Sequence, residues 1–329
     1  GTPMPTARLL RLARSLLRTV KVALLVVALG AAGHAATITV NTTADELDAI
    51  PNDRCSLREA IVTVNEQRAL GVGGCSVSGT LGVNDVIAVP AGLYELTRNG
   101  VVLDDAFDQD FGNLNLERDV IIRGAGAAST VIDGSSISQN TGTGIWGISL
   151  PFLEGGVVHV ASGVTARIEN LTVRGGVAFE GGGVYVAGDL TLRDAAVEHN
   201  TARRRGAGIF IAGGLTLERV TIAGNAPPAD PNAWPILGGA IYSAGTLHAE
   251  NSTLSGNEAA AGGGIYLSPE AGLTILHSLT VTDNHATGSR DLSDNRVTGG
   301  LGNHAPPGSV RIQNSLVAGN SAPGQSQDC

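Results

Sequence analysis

Lysine is nearly absent from this chain of 329 residues: Lys21 is the single copy, and the other 20 basic residues are arginine. Aromatic residues make up only 3%, against 46 glycines. So few bulky side chains fit a thin core better than the bulky core of a globular enzyme. A basic excess is lacking as well. With the five cations of residues 1–35 set aside, 16 arginines face 30 acidic residues, which gives a net charge of −14. A surface that acidic repels phosphate backbones, so nucleic acid is not an expected partner. Finally, no apolar run reaches the roughly 20 residues that cross a bilayer; the longest candidate is Val22 to Ala32.

That short run has a context of its own. Met4 opens a basic stretch (Arg8, Arg11, Arg14, Arg18, Lys21), the apolar run follows, and Gly33-His34-Ala35 closes it with small residues. This order is that of a secretory signal peptide over residues 1–35, cleaved after Ala35. An exported chain with no membrane span in its mature part is therefore expected.

What is present is a repeat. From Gly181 the chain reads GGGVYVAGDLTLRDAAVEHN, then GAGIFIAGGLTLERVTIAGN, GGAIYSAGTLHAENSTLSGN and GGGIYLSPEAGLTILHSLTVTDN. Each copy holds a glycine pair, an aliphatic, an aromatic, a turn, an alternating aliphatic run and a closing asparagine. Asn200, Asn225, Asn257, Asn284 and Asn320 are 25, 32, 27 and 36 residues apart, so the unit is constant while one connection, always after the asparagine, varies. Two or three short strands fit in each copy, with no helical period and no hairpin turn between them. Each copy is thus one coil of a parallel solenoid.

Stacking at about 4.8 Å puts like residues over like. Leu190/Leu192, Leu215/Leu217, Leu247/Ala249 and Val310/Ile312 are expected inside, as are Val197, Ile222, Leu254, Val281 and Val317. Leu273, Ile275 and Leu276 carry one residue more, which reads as a β-bulge. Tyr185, Phe210, Tyr242 and Tyr266 stack, inside or along a face. The closing asparagines form a ladder, since an amide donates and accepts.

Residues 36–118 differ. Ser56 and Glu59 make a capping box, and Leu57, Ala60, Ile61 and Val64 recur at helical spacing. This one amphipathic helix is suited to cap the first coil, because an end coil exposes both core and strand edge. Cys55 and Cys75 flank it, and a disulfide between them closes a loop of about 20 residues, worth roughly 3 kcal/mol. Two buried thiols are the alternative. Residues 119–329 are then coils, and Cys329, without a partner and without a cap around it, suggests that the solenoid continues beyond it.

The segment Cys55-Ser-Leu-Arg-Glu-Ala60 matches the signature of the CSLREA family of exported bacterial β-helix proteins. Asp85–Thr97, Ile121–Gly126 and Thr130–Gly134 resemble its first coils, and the glycine-to-asparagine rhythm resembles polymorphic outer-membrane-protein repeats and the pectin lyase-like fold. The resemblance implies an all-β, right-handed parallel β-helix, secreted or held at the outer membrane or cell surface.

For chemistry the sequence offers few groups. Asp104, Asp105, Asp108 and Asp110 alternate as oxygen ligands of Ca²⁺ would, or as a solvated strand does; no other cofactor is expected. Arg193, Glu218, Glu250, His277 and Gln313 form one outward column, and Thr191, Thr216, His248, Ile275 and Arg311 a second. Glu218 and Glu250, with His248 beside them, have the spacing of a catalytic carboxylate pair, or else Arg193–Glu218 is an exposed ion pair on a wet face. Arg203 to Arg205 fall in a variable loop that either binds acidic glycans or is merely solvated. Trp234 is a sugar platform or packs on the sheet. A non-catalytic adhesin whose loops meet polysaccharide or host and cell-surface components is the expected function, with a polysaccharide lyase or glycosidase as the alternative.

Overall fold

The computed structural model describes residues 35–48, 50, 52–68, 74–82, 84–98, 112–137, 156–229, 236–288, 297–323 and 328. The expected targeting segment, except Ala35, lies outside them, as do Asp104, Asp105, Asp108, Asp110, Trp234 and Cys329. Within them the chain winds as a parallel β-helix in which each coil visits three sheets. The first sheet has ten strands, eight supplied by successive coils from Asp85–Val89 to Val310–Gln313. The second has eight, from Gly92–Glu95 to Leu316–Ala318, and the third seven, from Leu114–Leu116 to Leu301–Asn303.

Strand alternation builds the interior. In Asp189–Arg193, Leu190 and Leu192 are buried and pair in register with Leu215 and Leu217, which pair in turn with Leu247 and Ala249. Val197, Ile222, Leu254 and Val281 line the second sheet, and pairs such as Val184/Val186 and Ile209/Ile211 the third. Each such side chain withdrawn from water contributes about 1.5–3 kcal/mol. No large side chain is needed, which is why so few occur.

Corners close each coil. The corner after a first-sheet strand is one left-handed residue, among them Asp194 (φ 48°), Arg219 (φ 57°) and Asn251 (φ 50°). The corner before the third sheet uses the first glycine of each pair. At Gly206 (φ 61°) a Cβ would stand 2.3 Å from the Ile209 carbonyl oxygen, so both conformation and space demand glycine there.

The asparagine ladder occupies the remaining corner. The backbone N–H and Nδ2 of Asn225 both donate to Oδ1 of Asn257 (3.1 and 2.9 Å), and Nδ2 also donates to the Val197 carbonyl (3.0 Å). Asn257 repeats this toward Asn284, and Asn284 toward Asn320. The run starts at the N–H of Gly176, which donates to Asn200, and ends on Oδ1 of Asp328. Every rung is buried and satisfied.

Three expectations need correction. The fourth copy has no bulge: Thr274 takes the inner place over Leu247, Ile275 points out beside His248, and Leu276 covers Ala249. The extra length is absorbed in the Ser268–Gly272 turn, where the Ala271 N–H donates to the Ser268 carbonyl. Arg203 to Arg205 are not loop but strand, because Thr201–Arg205 pairs with Val177–Glu180 as a fourth, partial layer after the asparagine. Ile312 is not enclosed: it is 47% exposed and Leu316 57%, since among the described residues no coil covers them.

The first coil is closed differently. The helix Leu57–Glu66 starts with the expected capping box, and its Leu57, Ala60, Ile61 and Val64 enter the common core. The disulfide Cys55–Cys75 is present. Arg58 and Asp45 form an ion pair (Nε to Oδ1, 2.7 Å) with both side chains only 2% exposed. Arg58 also donates to the Gly112 and Asn113 carbonyls, and Asp45 accepts the N–H groups of Thr97 and Arg98. Asn65 donates to the Asn115 carbonyl and accepts from the Glu117 N–H, which satisfies the edge strand of the third sheet. Among the described residues no helix is long and apolar enough to cross a membrane.

Candidate functional site

Among the described residues the first sheet has the most strands, and the side chains on its outward side are set by strand alternation. Up to three residues per strand face out, as Asp189, Thr191 and Arg193 do on either side of the buried Leu190 and Leu192. The register places Arg167, Thr191, Thr216, His248, Ile275 and Arg311 in one column. A second holds Arg123, Glu169, Arg193, Glu218, Glu250, His277 and Gln313. Both columns continue those expected from the sequence.

Next to the first column lies a shallow groove of about 270 Å³, running across the coils. Its lining includes Thr165, Asp189, Thr191, Thr216, Thr246 and His248. Four threonine hydroxyls, each able to donate or accept, share it with the aliphatic side chains of Leu190, Leu215, Leu247, Leu273 and Ile275. Strand stacking sets these groups at intervals of about 4.8 Å along the helix axis.

The second column forms the rim, and its charges are engaged. Arg123 Nε meets Glu169 at 2.5 Å, and Arg193 Nε meets Glu218 at 2.6 Å. Glu250 Oε1 stands 3.7 Å from Nδ1 of His277 and accepts from Asn251 Nδ2 at 3.2 Å. Around the corner, Arg219 grips both oxygens of Asp194 at 2.6 and 2.9 Å. That grip holds the Asp194 carboxyl below the usual carboxylate range. The structure thus brings Glu218 and Glu250 onto neighbouring strands, as the sequence implies, and pairs Glu218 with Arg193. His248 shares the groove and not the rim.

On the opposite side, the aromatic repeat residues stack along the outside of the third sheet. Tyr185, Phe210, Tyr242 and Tyr266 follow one another at 4.9, 5.4 and 5.5 Å between ring centres. His159 and His304 extend the stack at its two ends. The rings are used face to face, so the stack presents edges and offers no sugar platform. Arg205 packs over Phe210 and Tyr242 and binds Glu180 at 2.9 Å, while Arg204 takes the same carboxylate. Of the three arginines, two are thereby tied down.

Sequence reasoning missed His159, though Gly156-Val-Val-His-Val-Ala carries the repeat's rhythm with histidine in the aromatic place. Burial lowers its pKa to about 4, so it is neutral at pH 7. It missed the Arg58–Asp45 pair as well, for which nothing periodic signals the partner. Among the described residues no group of three or more His, Cys, Asp or Glu is placed to hold a metal ion.

Fold and surface together define a class, the parallel β-helix with an N-terminal helical cap. Comparison with protein-family models gives no match, and neither does comparison with curated proteins or with solved structures.

Proposed function

We propose that this chain is an exported, secreted or surface-held β-helix that binds extended polysaccharide or cell-surface glycans without cleaving them. The observation that carries this reading is the groove across successive coils, where threonines, Asp189 and His248 stand among aliphatic side chains. Its strands lie about 4.8 Å apart, so an extended chain laid along the axis meets a new strand, and a new outward side chain, at each rung. Aligned hydroxyls and a histidine suit a polyhydroxylated ligand, and Arg167 and Arg311 beyond them suit its acidic substituents. The ion pair of Glu218 with Arg193 supports binding over the lyase or glycosidase alternative, which needs a carboxylate pair free to address substrate. The signal-peptide pattern and the disulfide support export, and the hexapeptide at Cys55 supports kinship with the CSLREA proteins. Ca²⁺, if used, would be held by Asp104, Asp105, Asp108 and Asp110.

The test is retention of the mature chain, Ala36 onward, on a panel of neutral and acidic polysaccharides. Binding should be measurable and should fall about tenfold or more when Thr216→Trp fills the groove. Binding that ignores Thr216→Trp places the contact elsewhere, and no binding to any glycan removes the proposal.

A further inference from the structure

The edge of the longest sheet is covered by a device that the groove does not involve. Thr37–Thr39 is the last strand of the first sheet to run parallel with the coils. Its outer side is taken by Val77–Ser78, which pairs antiparallel through just two residue pairs, Thr37 with Ser78 and Ile38 with Val77. An uncovered strand there would offer unpaired N–H and C=O groups to any other chain. The covering segment Gly74–Thr80 is a strap with little of its own to hold it. Ser76, Ser78, Gly79 and Thr80 are exposed, and Val77 is half-buried against the core.

Besides the Ala35–Thr80 bridge at its far end, two ties among the described residues secure this strap. The Gly74 N–H donates to the Arg54 carbonyl at 2.6 Å, where a Cβ on Gly74 would stand 1.8 Å from the Asn52 oxygen. The other is the disulfide from Cys75 to Cys55, and Cys55 is anchored in the core beside the helix start. The two sulfurs differ in access: Cys55 is buried, whereas Cys75 is half-buried.

We infer that the Cys55–Cys75 disulfide is a redox-operated catch on the Gly74–Thr80 strap, and that reduction opens the edge of the first sheet while the coils stay wound. A dithiol reductant supplies the chemistry. Its thiolate attacks Sγ of Cys75 and Cys55 leaves as a thiolate; the reductant's second thiolate then attacks the reductant sulfur of the mixed disulfide, and Cys75 leaves as a thiolate. The protein gains two electrons and two protons as two thiols, and the reductant ends as its own disulfide. With the covalent tie gone, two residue pairs, the isolated Ala35–Thr80 bridge, the Gly74–Arg54 hydrogen bond and one half-buried valine are too little to keep a short antiparallel strand docked.

Hydrogen exchange on the purified chain, before and after dithiothreitol, tests this directly, with thiol alkylation to confirm reduction. Exchange in peptides covering 37–40 and 74–80 should rise roughly tenfold or more, with residues 165–320 unchanged. The Cys55→Ser, Cys75→Ser double variant should show the same local pattern without reductant. Confirmed reduction with no change at 37–40 and 74–80 overturns the inference. So does loss of protection across the whole chain, or a double variant that does not fold, since either makes the disulfide a support of the entire fold.

Discussion

The N-terminal cap and the repeated coils solve one problem, burying polar groups in a thin core, in opposite ways. In the coils the solution is periodic: each ladder asparagine makes the same three bonds as the one before it. A single residue type at a single position serves every layer. In the cap each solution occurs once. Arg58 needs Asp45 and two carbonyls, Glu59 needs Ser56 and the Asp48 N–H, and Asn65 needs the Leu114–Leu116 strand. Repetition spreads the cost of an error over equivalent neighbours, whereas the cap has no second copy of anything.

The largest effect is therefore expected in the cap. Arg58→Met leaves Asp45 buried and unpaired and should cost about 3–5 kcal/mol in chemical denaturation. Adding Asp45→Leu should recover only part of this, because the Thr97 and Arg98 N–H groups then lose their acceptor. In the coils, Asn257→Ala strips Asn225 of its shared acceptor and the Ile222 carbonyl of its donor. A loss of roughly 2–4 kcal/mol is expected, and exchange should rise most in the adjacent rungs.

A third effect sharpens the contrast through pH. His159 titrates near 6.5 when unfolded and at about 4 in place, with burial as the cause. The unfolded chain binds the proton more readily between those values, so stability is full above pH 6.5 and falls as pH drops toward 4. The expected loss is up to about 3 kcal/mol, and His159→Phe should remove this pH dependence. The smallest effect has the opposite sign. Thr274 buries a hydroxyl without a partner in an aliphatic column, so Thr274→Val should stabilise by about 1–2 kcal/mol.

The same contrast explains what was legible in the sequence. The inner leucines, the ladder asparagines and both outward columns announce themselves by recurring, and the register follows from counting. The helix was readable because Ser56 and Glu59 signal locally. Asp45 and Arg58 stand 13 residues apart with no pattern joining them, so their meeting is a product of tertiary packing alone. The absent bulge at Leu273–Leu276 taught a related point: an extra residue can vanish into a turn as readily as into a strand, and counting cannot tell which. For the groove, the columns were legible but the concavity was not. It arises where Gly214 supplies no side chain between Asp189 and Thr246.

A binding surface and a cleaving one are separated most directly by assaying retention and product release together on the same polysaccharides, with and without Ca²⁺. The expected result is retention with no reducing-sugar or unsaturated product, unchanged in the Glu218→Gln, Glu250→Gln double variant. Product release that disappears in that variant would contradict the account and make the rim carboxylates a catalytic pair.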